Sequence, residues 1–318
     1  MREDNRTVTT TQSSRDLDAI EKTSPAYKDG VRSLYKFMTY PAIGTNSIDN
    51  AERRRRVDAL LRDGELYFAT ARELNDPFEA APHFRTHGTT SDDILEVLSR
   101  YLRSVVAPRD GWNKEQVLAK EKDLLNEIRS GEYQLRMQGL AQSWREKFRT
   151  DFPMCCLAAT RDSTLMWSYY SGGHSGICIH IDATKAPFTN AERVIYAKQY
   201  PELLLPTVEL ESEALRTLAL LTKSDVWVHE REYRLINMPM TFEPDNSMRI
   251  LDDMFTWKTP QLAVIQPFFI VGATIGASMQ DEEIEHILRI CHERPIKIPV
   301  FQAKCRQDRF DLEFVQIT

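Results

Sequence analysis

The chain has 318 residues, of which 42% are hydrophobic and 28% charged, and a formal net charge of −6. That length admits one large domain or two small ones with a core of ordinary size, and the acidic balance excludes a whole-chain electrostatic grip on nucleic acid. With no run of 18 apolar residues and no apolar leader segment, the sequence predicts neither a membrane span nor secretion, and the expected location is the cytoplasm.

Residues 1–30, polar and rich in Thr and Ser, read as a mobile arm ahead of a single α+β domain over 31–318. SLYKFM (33–38) reads as a first strand. A helix follows, with Asp49 or Asn50 as N-cap, Val57, Leu60 and Leu61 on one stripe, and Gly64 as the stop. ELYFAT (65–70) is a second strand, and Asp76-Pro77 centres a loop. From 91 to 149 the apolar residues recur at helical spacing (Ile94, Leu95, Leu98, Leu102; Leu124, Leu125, Ile128; Leu140, Trp144, Phe148), which predicts a helical insertion. Strands are expected at 154–160, 176–182, 193–199, 227–236, 263–271, 296–304 and 310–317. Helices are expected at 162–171, 209–222 and 281–292. Strands that cluster without regular βαβ alternation give an α+β class with a mixed, mostly antiparallel sheet.

Four stretches carry candidate chemistry. In WVHEREYRLI (227–236), an extended backbone sets Glu230, Glu232 and Arg234 on one face. Carboxylates about 7 Å apart along a strand do not bury without partners. They either form an internal ion-pair network, with Lys223 as a further member, or face a cleft. NDPFE (75–79) reads as an Asx turn anchored by Phe78, or as Asn75, Asp76 and Glu79 lining a pocket mouth. In LMWSYYSGGHSG (165–176), Trp167 and Tyr170 lie three apart on a helix, as core or as a platform for a planar ring. The glycines around His174 let backbone approach a ligand closely. Arg53–Arg56 point all round a helix, either as a solvated face or as a phosphate-binding patch. The five cysteines (155, 156, 178, 291, 305) lack C-x-x-C spacing, so reduced, mostly buried thiols are expected rather than disulfides or zinc. Walker, G-x-S-x-G and H-E-x-x-H motifs do not occur.

Taken in order, SLYKF, GELYFATARELNDPFE, CCLAATRDSTLMWSYYSGGHSGICIHID, VIYAKQYP, LLTKSDVWVHEREYRLI and VGATIGASMQDEEIEHIL resemble the bacterial family catalogued as domain of unknown function 2971. The resemblance runs from about 33 to 315, outside the arm and the helical insertion. Its specific parts are Asn75–Glu79, Met166-Trp167 with Tyr170, and Trp227 with Glu230-x-Glu232-x-Arg234. The order of early strand, helix, Tyr-bearing segment and late Glu-x-Glu strand is also similar to ADP-ribosyltransferase-type toxins. That second resemblance implies an NAD-consuming transferase or hydrolase, a bacterial toxin or antiphage defence effector. In it Glu232 is the catalytic acid, Glu230 orients the acceptor, and Tyr170 stacks on nicotinamide. Lys36 stands where those toxins carry Arg or His, and Asn75, Asp76, Trp167 and His174 complete the implied NAD cleft. NAD is the implied substrate, with no metal. The implied partners are a macromolecular acceptor, protein or nucleic acid, and a neutralising or regulatory protein. Two other readings stay open. One is a nucleic-acid-directed effector, nuclease or binder, using Arg53–Arg56 and acidic residues with Mg²⁺; the other is a non-enzymatic ligand-sensing module.

Overall fold

The computed structural model describes residues 24–43, 47–86, 90–205, 218–237 and 255–318. Residues 1–23 of the expected arm, and 209–217 of the expected 209–222 helix, lie outside them. The end of the polar stretch is structured: Pro25–Lys28 is a helical turn capped by Ser24, whose Oγ accepts from Tyr27 N, and Ala26 is buried in the core. Pro25 at the first helical position suits such a start.

The strands, numbered in chain order, are β1 Ser33–Met38, β2 Glu65–Tyr67, β3 His83–Thr86, β4 Met154–Ala158 and β5 Ile177–Asp182. Then come β6 Glu192–Arg193, β7 Ile195–Ala197, β8 Glu202–Leu205, β9 Thr222–Ser224 and β10 Glu232–Ile236. The last five are β11 Thr256–Thr259, β12 Leu262–Val264, β13 Ile270–Ile275, β14 Val300–Cys305 and β15 Leu312–Gln316. The fold is α+β, and the described chain forms two compact units.

The first unit takes residues up to 73, 152–196 and 225–318. Its eight-stranded sheet has the order β15-β14-β13-β5-β1-β4-β10-β6. Every pairing is antiparallel except β13 with β14, which the Asp281–Glu293 helix joins by a crossover. Alternation along the strands divides the side chains between two faces. Leu34, Leu157, Ile179, Leu235 and Ala273 enter the main core with Val57, Leu60 and Leu61 of the Ile48–Asp63 helix. Phe37, Ala158, Cys178 and Ala303 form a second core with Met166 and Trp167. That second face also holds His180, whose Nε2 meets Thr274 Oγ1 at 2.8 Å. Burial, and after it the charge of Arg161, lowers the His180 pKa from 6.5 to about 3.

The Ile48–Asp63 helix is capped by Ser47, whose Oγ accepts from Asn50 N at 3.1 Å, and not by Asp49 or Asn50. It stops at Gly64, at φ 73°, where a Cβ would lie 2.2 Å from Ile265 O. The expected strand over 263–271 is broken by a 3₁₀ turn, Pro267–Phe269, as a residue without an N–H requires.

The second unit takes 74–151 and 197–224. Its β3 pairs in parallel with β8. Helices run over Ser91–Tyr101, Ala107–Asp110, Lys114–Ser130 and Glu132–Thr150, with a π turn at Leu102–Val106. Capping boxes start two of them, Thr90 with Asp93 and Asn113 with Gln116. No helix of the described residues is long and apolar enough to cross a membrane.

Two predictions follow from the packing. Leu60→Ala should cost about 2–5 kcal/mol, whereas Ile48→Ala on the same helix, 88% exposed in the wild type, should stay within about 0.5 kcal/mol; urea denaturation measures both. His180 binds a proton near pH 6.5 when unfolded and only near pH 3 when folded, so stability falls as pH drops through that window. The loss is about 1.4 kcal/mol per pH unit for this one group. Between pH 7 and pH 4 the wild type should therefore lose more of its urea midpoint than His180→Gln.

Candidate functional site

The Trp227–Ile236 stretch is not one strand. Asp225–Glu230 is a 3₁₀ turn, Arg231 takes φ +45°, and only Glu232–Ile236 is extended. Glu230 and Glu232 therefore do not share a strand face as alternation alone predicts. A left-handed non-glycine residue costs roughly 1–2 kcal/mol and persists only where its surroundings fix it. Here the fixing bonds are visible. Arg231 O accepts from Ala159 N at 3.0 Å, and Glu232 N donates to the Tyr196 hydroxyl at 2.9 Å.

This one turn gives the two carboxylates different surroundings. Glu232 is 4% exposed, and both its oxygens are engaged by Arg234, Nε at 2.7 Å and Nη2 at 3.0 Å. Arg234 itself is 1% exposed. The pair shares its sheet face with Cys156 and Ala158, to which the register matches it. Burial first, and the Glu232 charge second, push the Cys156 thiol well above its usual range. Glu230 is 2% exposed and accepts a short hydrogen bond from the Tyr170 phenol.

Tyr170 ends the Thr164–Tyr170 helix, which starts on Ser163 as N-cap. The chain neighbours of Tyr170 and Glu230 bring three rings together in the same unit, one exposed and two half-buried. Tyr169, 57% exposed, sits edge-on to Trp227 with centroids 6.0 Å apart and 6.3 Å from His229. The Trp227 and His229 rings lie 5.9 Å apart, and Val226 and Val228 are exposed around them. Tyr169 carried no signal beyond its place beside Tyr170. Trp227 and His229 are brought together by the 3₁₀ turn.

Two implied NAD contacts are corrected. Trp167 is fully buried, edge-on to Phe37, with Nε1 donating to Arg161 O at 2.7 Å. Its helical spacing with Tyr170 marks core, so it stacks on no ligand. Lys36 pairs with Ile179, so period-two alternation sets it on the face opposite Glu232, with Nζ donating to Cys156 O at 3.1 Å. It is not an early basic residue on the carboxylates' face.

His174 lies in the same unit at φ +68°, its ring parallel to Trp167 at 6.3 Å, its Nε2 3.3 Å from Ser168 Oγ. Burial lowers its pKa. The close backbone approaches of its loop are to the chain itself: a Cβ on Gly176 would lie 2.2 Å from Met38 O.

Asn75 and Asp76 belong to the second unit. Asp76 is buried, and its Oδ1 accepts from Phe78 N at 2.9 Å in an Asx turn. Phe78 is exposed and so does not anchor the loop; buried Glu79 does, pairing with buried Lys223 at 3.0 Å. Asn75 is exposed at the loop's start.

The arginine run is bonded largely to its own chain. Arg55 and Arg56 both close on Glu52, at 2.8 and 3.0 Å, and hold its carboxyl down to about 2. Arg54 donates to Ala42 O at 2.8 Å. Among the described residues no group of His, Cys, Asp and Glu could hold a metal ion.

Glu232→Gln removes the charge from a buried bidentate bond. It should lower stability by about 3 kcal/mol, measured as a fall in Tm, while Glu52→Gln in its exposed pairs should cost under about 1 kcal/mol.

Compared with protein-family models, curated proteins and solved structures, the chain matches none of them.

Proposed function

We propose that the chain is an NAD-consuming transferase or hydrolase of ADP-ribosyltransferase type, with Glu230 as the acting carboxylate. The observation that carries this reading is the hydrogen bond between Tyr170 and the buried Glu230, next in the chain to exposed Tyr169 and to the half-buried rings of Trp227 and His229. Glu232, the residue the resemblance favours, has both oxygens taken by Arg234 and acts as the fixed neighbour that holds β10 in register.

The inclined rings offer faces and edges to a nicotinamide or adenine ring, since aromatic pairs favour offset or edge-on geometry. As the glycosidic bond breaks, its electron pair passes to the nicotinamide nitrogen, which leaves as a neutral base. Positive charge develops at ribose C1′, and the Glu230 carboxylate stabilises it in a water-poor setting where such charge counts most. Tyr170 orients that carboxylate. Water or an acceptor nucleophile then bonds to C1′ and releases its proton. Positioning and electrostatics supply the rate, without a covalent enzyme intermediate. The context of toxin or antiphage effector, with a macromolecular acceptor and a neutralising partner, rests on the resemblance alone.

A second reading, a ligand-sensing module that binds NAD without turning it over, is favoured by the burial of both carboxylates. Nicotinamide release from NAD by the full-length chain separates the two. Turnover by the wild type, lowered about 10²–10³-fold in Glu230→Gln with the NAD-induced rise in Tm kept, is the expected result. A rise in Tm without release selects the sensor, and neither response removes both readings.

A further inference from the structure

Arg161, in the loop after β4, is a cation held by aromatic rings and a hydroxyl. Its guanidinium lies over two rings, 4.4 Å from the Phe301 centroid and 4.5 Å from that of Phe314. Nη1 donates to Thr274 Oγ1 at 3.3 Å. Among the described residues no carboxylate pairs with it. Its sequence neighbour Asp162 is turned back onto Thr160, whose hydroxyl donates to it at 2.5 Å.

The floor beneath the guanidinium is built. Thr274 Oγ1 also meets His180 Nε2 at 2.8 Å, so the hydroxyl is held between the imidazole and Arg161. His180 is wedged in place, since a Cβ on Gly272 would lie 2.6 Å from its Nδ1. Tyr35 stands edge-on to His180 at 5.1 Å, half-buried and within the field of Arg161. A guanidinium has five donors in a rigid fork, and one is spent on Thr274. Two aromatic faces offset part of the cost of withdrawing it from water, and a neutral hydroxyl adds little charge compensation.

We propose that Arg161, framed by Phe301 and Phe314 and flanked by Tyr35, binds an oxyanion group of a ligand, carboxylate or phosphate. None of these residues takes part in the Glu230 chemistry, so either assignment can fail alone.

The test compares the Tm of the full-length protein in chloride, inorganic phosphate and acetate at matched ionic strength. Wild type should gain Tm with rising concentration of one oxyanion, as a ligand of the folded state does. The arm that responds names the group. Arg161→Gln should lose the response, whereas general stabilisation by excluded salts would persist in it. If Arg161→Gln does not fold, Arg161→Lys keeps the charge without the fork and should bind at least about tenfold more weakly by titration calorimetry. No response in wild type, an equal response in Arg161→Gln, or an unchanged Kd in Arg161→Lys would overturn the proposal.

Discussion

The first unit's sheet edge depends on the bidentate bond between Arg234 and Glu232. A guanidinium and a carboxylate this deeply buried persist only when each oxygen and the matching N–H groups meet in good geometry. The side-on fork of Arg234 requires Glu232 two residues earlier on the same face, and β10 supplies that spacing between β4 and β6. One acid of the Glu-x-Glu pair is thereby committed before any ligand arrives.

The left-handed Arg231 gives the other different surroundings. In a continuous strand Glu230 would also lie on the Arg234 face, and the two acids would share one environment. The turn instead ends the 3₁₀ segment at Glu230, where Tyr170 meets it, and leaves Trp227 and His229 beside Tyr169. On the proposed reading, the buried carboxylate and the neighbouring rings serve a ligand that is flat and develops positive charge. Backbone strain at such a point is consistent with a site whose surroundings over-determine it.

The sequence was most legible where a pattern repeats. The helices within 91–149 follow from 3.6-residue spacing with polar caps, and the stop at Gly64 from its need for positive φ. Sheet class followed from clustered strands, but strand order did not, because pairings such as β1 with β4 and β5, more than 120 residues apart, leave no local trace. The misses are single-residue events. Alternation cannot register that Arg231 adopts a left-handed conformation, so it merged a 3₁₀ turn with a strand. Lys36 kept its strand but lost its supposed role once β1 was paired, since its face is fixed by register with Ile179. Trp167 shows the reverse problem: helical aromatic spacing fits a core and a ligand platform equally, and only burial decides. Arg161 and His180 gave no motif because their neighbours come from β13, β14 and β15, more than 90 residues away along the chain.

The central claim is that the two glutamates divide the work, Glu232 holding the sheet and Glu230 acting on the ligand. The most direct measurement is nicotinamide release per folded molecule, taken for Glu230→Gln and Glu232→Gln side by side with their Tm. The account predicts that Glu230→Gln loses most turnover in its folded fraction, while Glu232→Gln loses Tm and keeps far more turnover in its folded fraction. A Glu232→Gln protein of wild-type Tm with no turnover, beside an active Glu230→Gln, would contradict it.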